Sequence, residues 1–106
     1  MIITPSATIA GQRVVQTLGL VRGNTIRARN VGRDILAGLK NLVGGEIEEY
    51  TKMMAEARDQ AVDRMIEDAT RLNADAIINV RFSTSYMMSA ASEIMVYGDA
   101  VKLEKE

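Results

Sequence analysis

The stretch GGEIEEYTKMMAEARDQAVDRMIEDATRLN, residues 44–73, decides how the rest of the chain is read. Gly44-Gly45 opens it, and Glu46, Glu48 and Glu49 then place negative charge where a helix dipole and unpaired backbone N–H groups favour it. Apolar Ile47, Tyr50, Met54, Ala57, Ala61, Met65, Ala69 and Leu72 follow at steps of three or four, broadened by Met53, Val62 and Ile66. This spacing predicts one long amphipathic helix over 44–73 whose stripe must be buried. Lys52, Glu56, Asp59, Asp63 and Arg71 face water, and Glu48/Lys52 and Glu67/Arg71 stand in the favourable order for ion pairs within a helix. Asp59/Asp63 and Asp63/Glu67 repel at the same spacing, so burial and not surface charge has to hold the helix. Asn73, which tolerates left-handed backbone, is the expected stop.

Length gives this helix a consequence. At about 1.5 Å per residue, Glu46 to Asn73 spans roughly 42 Å. A compact chain of this size has a radius of gyration of about 13 Å and a diameter of about 33 Å. The helix is therefore expected to overhang its own globule, with a neighbouring copy as the simplest cover. The competing reading is a kinked or later-starting helix packed wholly within its own chain.

The 106 residues are expected to form one domain, 1–106, with a modest core. Rings are few (Tyr50, Phe82, Tyr86, Tyr97), whereas Met occurs seven times, so packing is expected to be aliphatic and thioether in character. There is no Cys and no His, which excludes disulfides, thiol chemistry, His general bases and the ordinary zinc sites. No apolar run approaches the roughly 20 residues of a membrane span. The N-terminus also lacks a charged region followed by an apolar one, and a cytoplasmic protein without membrane contact is expected. Charge is uneven. Residues 1–45 hold Arg13, Arg22, Arg27, Arg29, Arg33 and Lys40 against Asp34 alone, whereas the remainder is acidic. The basic part is expected to dock on the acidic helix, within or between chains, ahead of an anion or nucleic-acid site or simple solvated charge.

Along the chain, Ile2 to Thr4 reads as a short edge strand ended by Pro5. Arg13 to Leu20 reads as a strand that can continue to Arg29, with Gly19 and Gly23 marking bulges, a bend, or a hairpin at Gly23-Asn24. Val31 to Val43 has helical spacing through Val31, Ile35, Leu39, Leu42 and Val43. After the long helix, Ile78, Val80, Phe82, Thr84 and Tyr86 alternate with Asn79, Arg81, Ser83 and Ser85 in a strand. Met87 to Ser92 makes a hairpin-like connection. In the last strand, Glu93 to Leu103, Ile94, Val96, Gly98 and Ala100 lie opposite Met95, Tyr97, Asp99, Val101 and Leu103. Apolar residues on both faces predict helix on one side and another subunit on the other. The charged tail Glu104 to Glu106 is expected to fray. The fold class is α+β: a small antiparallel or mixed sheet packed against one short and one long helix.

Several local signatures occur together: Ile9 with Gly11 and Arg13-Val14-Val15; Leu18-Gly19 before Gly23; Val43-Gly44-Gly45 before Tyr50; Asn73-Ala74-Asp75-Ala76-Ile77-Ile78-Asn79-Val80; and Val96-Tyr97-Gly98 with Ala100-Val101. In this combination nearly the whole chain resembles the YbjQ-like family, UPF0145 or DUF74, of small bacterial and archaeal proteins. The resemblance implies an α+β subunit, a ring-shaped homopentamer and the label "putative heavy-metal-binding domain". It implies no catalytic residue and no substrate.

The residues offer few alternatives. Met87, Met88 and Met95, with Glu93, are the only thioether set for a soft metal, although Met in such places more often packs. Asp59, Asp63, Glu67 and Asp68 are close on the helix, but a solvated acidic face is the stronger reading than a hard-cation site. Gly44-Gly45 before a helix could cradle a phosphate, yet Glu46, Glu48 and Glu49 would repel it. Neither a phosphate loop nor a dinucleotide fingerprint is present. No aromatic residue lies within the Arg22, Arg27, Arg29 and Arg33 group, so nucleic acid is not an expected partner. No catalytic or cofactor-binding residue emerges, since nothing is spaced as an acid/base pair or activated nucleophile. The leading expectation is a non-enzymatic, ring-forming binding or assembly domain whose partner is itself. Heavy-metal binding or sequestration is the first alternative. An enzyme with a shared pocket and a perturbed carboxylate at subunit boundaries is the second.

Overall fold

The β-branched alternation at both ends of the chain gives long strands, and the apolar helical stripe between them supplies their cover. In the computed structural model, residues 1–27, 44–88 and 91–106 are described, with side chains at 1–26, 52–85 and 93–106. The elements are β1 (Ile2–Ile3), β2 (Gln12–Arg27), α1 (Gly44–Arg71), β3 (Ala76–Met88) and β4 (Ala91–Lys105). The sheet order is β1-β3-β4-β2, with β1 parallel to β3 and the other neighbours antiparallel. This is the expected α+β subunit with a mixed sheet; the expected short helix over Val31–Val43 lies outside the described residues.

α1 lies over β2 and β4. Its Ala57, Ala61, Met65 and Ala69 are fully buried against Val21 of β2, Ile94, Val96 and Ala100 of β4, and Ile77 and Val80 of β3. Three of the four helical positions are alanine, so the helix backbone itself comes close to the sheet. Gly23 permits this: a Cβ there would lie 2.5 Å from the Met65 backbone nitrogen and would also collide with the Ala61 carbonyl oxygen. Two residues on, the buried Thr25 hydroxyl donates to the Ala57 carbonyl at 2.7 Å. The helix also covers part of the free edge of β2, where the Arg22 N–H donates to Asp68 Oδ2 at 3.3 Å and Arg64 Nη1 donates to the Asn24 carbonyl at 2.5 Å. α1 ends at Arg71, and Asn73 takes the left-handed conformation expected of the stop, with φ 59°.

Other expectations change. β2 continues unbroken through Gly23-Asn24, so no hairpin forms there; its register against β4 shifts twice, between Val14 and Gln16 and between Thr17 and Gly19, and Gly19 has φ 135°. In β3 the simple alternation fails. Asn79, at φ 54°, is an extra residue in the ladder between Ile78 and Arg81, and it reverses the parity of the strand. Ile77 and Val80 therefore join the helix-side core, while Ala76 and Ile78 join Val101, Ile9 and Leu103 on the opposite face. The β4 alternation is as read, with Ile94, Val96 and Ala100 toward the helix and Val101 and Leu103 away from it.

The tail does not fray, because β4 runs to Lys105, Arg13 pairs with Glu104 at 2.7 Å, and Glu106 N–H donates to the Gly11 carbonyl at 3.1 Å. Nor is the body as small as assumed. The radius of gyration is 17.2 Å and the extents are 56 × 23 × 17 Å, since strands of 13 to 16 residues run alongside the helix. From Ala57 to Ala69 the stripe is sheltered by the chain itself, and the expected overhang does not occur there.

Gly23→Ala is expected to lower stability by about 2–3 kcal/mol in urea denaturation, because the helix must retreat from β2. Thr25→Val, similar in shape, should cost only about 1 kcal/mol through the lost hydrogen bond.

Candidate functional site

On the sheet face turned away from α1, antiparallel register lines side chains into rows across three strands. Arg22, Tyr97 and Arg81 form one row, and Asn24, Met95 and Ser83 form the next. Leu20, Arg22, Ser83, Met95 and Tyr97 line a cleft of about 300 Å³. Its apolar surface comes from a leucine, a thioether and a phenol ring; its polar groups are one guanidinium and two hydroxyls.

The surroundings determine which of these groups is available. Arg81 donates to the Pro5 and Val80 carbonyls, each at 2.9 Å, tying β3 to the N-terminal segment. The acids on this face are held by neutral amides: Asn79 Nδ2 donates to Asp99 at 3.0 Å and Asn24 Nδ2 to Glu93 at 3.1 Å. Ion pairs among the described residues join Arg13 to Glu104, Arg71 to Asp68 and Lys102 to Asp75. The Arg22 guanidinium and the Ser83 and Tyr97 hydroxyls make no hydrogen bond or ion pair with a described residue.

The residues singled out from sequence are thus partly regrouped. Arg22 was read with Arg27, Arg29 and Arg33, and Met95 with Met87, Met88 and Glu93; the structure instead brings Arg22 and Met95 to one cleft. The side chains of Arg27, Arg29, Arg33, Met87 and Met88 lie outside the described residues. The expected docking of basic half on acidic helix takes another form, since Asp68 accepts the Arg22 backbone N–H and not its guanidinium. A free strand edge needs an acceptor at that point, and the helix carboxylate supplies it. Asp59, Asp63 and Glu67 stand on the exposed side of α1. Leu20, Ser83 and Tyr97 carried no signal in the sequence; only the alternation placing Met95 and Tyr97 on one face of β4 pointed toward them.

Comparison with known proteins bears on what such a subunit is. A family model described as "Putative heavy-metal-binding" matches residues 1–104. A UPF0145 protein of Halorubrum lacusprofundi is 60% identical over 103 residues, covering 97% of this chain and 99% of the relative. The chain belongs to this family. A second UPF0145 relative, from Methanosarcina acetivorans, is 53% identical over 103 residues, with 97% of each chain covered. A bacterial one from Dehalococcoides mccartyi is 57% identical over 104 residues, covering 98% of this chain and 100% of the relative. The fold is shared with a crystal structure of a DUF74-family protein of unknown function from Pediococcus pentosaceus, with TM-score 0.66, 18% identity and 98% of both chains covered.

The heavy metal in the UPF0145 family description can be set against the donors of this chain. Cys and His are missing from the sequence, and among the described residues no group of three or more Asp or Glu side chains converges as a metal site. The described donors do not fit a heavy metal: Met95 stands among Leu20, Arg22, Ser83 and Tyr97, and Glu93 is engaged by Asn24. No carboxylate is among the residues lining the cleft. No described helix is long and apolar enough to cross a membrane.

Asn79 carries both a backbone and a side-chain task at the lower end of this face. Asn79→Gly should lose only the bond to Asp99, whereas Asn79→Ala should lose that bond and also strain the left-handed backbone, making it about 1 kcal/mol less stable than the glycine variant. Parallel thermal melts of the two variants would check the order.

Proposed function

We propose that this UPF0145 subunit is a non-enzymatic binding or assembly domain of the cytoplasm that acts as a closed ring of about five copies. One observation carries the reading: the sheet is apolar beyond what its own helix and N-terminal segment cover. Phe82, cross-strand from fully buried Val96, is 52% exposed, and Ile26 at the far end of β2 is 55% exposed. Beside Phe82, β3 from Arg81 onward has no strand partner on its outer side among the described residues, since β1 pairs only with Ala76 and Ile77. An open strand edge next to an exposed ring is a surface that natural proteins usually cover, and a second copy is a cover of matching shape. Likeness to the family supports the ring.

Light scattering on the purified protein should give a mass close to five times 11.6 kDa. Phe82→Asp is expected to shift that mass toward the single subunit without unfolding it; a monodisperse monomer of the unmodified protein at micromolar concentration would defeat the proposal.

The family description motivates a second reading, heavy-metal binding or sequestration, for which the sequence offers Met87, Met88 and Met95 with Glu93. Elemental analysis together with calorimetry using Cu(I), Zn and Cd checks it, and the absence of stoichiometric binding would dismiss it.

A further inference from the structure

We infer that the cleft between Leu20, Arg22, Ser83, Met95 and Tyr97 binds a small organic monoanion, a carboxylate carried on a compact apolar body. The inference rests on the reading of the subunit as a binding domain and names the chemistry of what it binds. The cleft is a meeting of three strands and not a property of any one segment, because Arg22 and Leu20 come from β2, Met95 and Tyr97 from β4 and Ser83 from β3.

Charge selects the sign of the ligand. Of the two arginines in the row, Arg81 is already donating to two carbonyls, while the Arg22 guanidinium has five donors and no partner among the described residues. A guanidinium presents two parallel N–H groups that match the two oxygens of a carboxylate, and such charge-assisted pairs are the stronger class of hydrogen bond. The Ser83 and Tyr97 hydroxyls, equally without partners among the described residues, can donate to the same head group.

Charge also limits the ligand to one negative unit. Glu93 and Asp99 lie on the same face and are held by neutral amides, which do not cancel their charge. On this face the two cations Arg22 and Arg81 already stand against the two anions Glu93 and Asp99, so no surplus positive charge is left to balance a dianion such as phosphate, whereas the unused donors of Arg22 match a single carboxylate. Size and surface set the rest. A cleft of about 300 Å³ is at the small end of the range for ligand sites. Leu20, at 65% exposed, and the half-buried Met95 and Tyr97 give it an apolar wall that a ring or branched chain would cover.

Titration of the purified protein with benzoate, followed by calorimetry and by NMR of the Met methyl groups, tests the site. Benzoate should bind and shift the Met95 methyl signal, while benzyl alcohol and inorganic phosphate should each bind at least fivefold more weakly. Arg22→Met removes the guanidinium and keeps the backbone N–H that Asp68 accepts; it should weaken benzoate at least tenfold. Tyr97→Phe, a milder change, should weaken it two- to fivefold. Undiminished binding by both variants, equal affinity for benzyl alcohol or phosphate, or no benzoate binding by the unmodified protein would overturn the inference. The light-scattering mass, read on the same samples, separates the two ideas: a monomer that binds benzoate removes the ring and keeps the cleft, and a ring that ignores benzoate does the reverse.

Discussion

The contact between Gly23 and the backbone of α1 is the constraint from which the rest follows. Because Gly23 presents no side chain at that point, the helix backbone at Ala61 and Met65 settles directly on β2, and the neighbouring Thr25–Ala57 hydrogen bond fixes its register. Alanines bury little surface individually, about 0.8 kcal/mol for a methyl-sized group. What they permit is close approach, which lets Met65, Ile94, Val96 and Val21 pack together beside the contact. The same approach brings Asp68 and Arg64 to the edge of β2, so one helix both roofs a sheet face and covers part of a strand edge.

With the helix committed to that side, the other face has to be covered differently along its length. Its lower end is closed by the N-terminal segment, where Ile9 packs with Ala76, Ile78, Val101 and Leu103. The bulge at Asn79 makes this possible, since it turns Ile78 to the second face while returning Val80 to the first. Backbone bonds from Val80 to Thr4 and from Asn79 to Ser6 hold the segment in place, and Arg81 reaches Pro5. The cleft takes in that row at Arg22 and Tyr97 and the rows on either side of it, at Leu20 and at Met95 and Ser83.

Membership of the UPF0145 family and the geometry of the cleft constrain function in different ways. The family description names a heavy metal, whereas the polar and sulfur groups lining the cleft are one thioether, one guanidinium and two hydroxyls. The exposed Phe82 and the open outer edge of β3 lie away from the cleft, on the helix side of the sheet and at its border.

The sequence by itself determined the elements. Periodicity marked the helix from Gly44, alternation marked both faces of β4, and Asn73 was legible as the stop because few residues accept a left-handed backbone. It also determined what chemistry the chain lacks, since the absence of Cys and His needs no coordinates. Tertiary structure decided the rest, because a strand pattern has a period of two and a single inserted residue reverses it. Gly19 was legible as one of several places for a bulge, but the one at Asn79 could not be placed before the strands were paired, and it determines which side chains of β3 share a face. The length of the body was decided there as well: strands that run unbroken through Gly23 make it 56 Å long, enough to shelter the helix stripe from Ala57 to Ala69 without a second molecule. The cleft is the clearest case, for Arg22, Ser83 and Tyr97 are neighbours only by register across three strands, a relation absent from any local stretch of sequence.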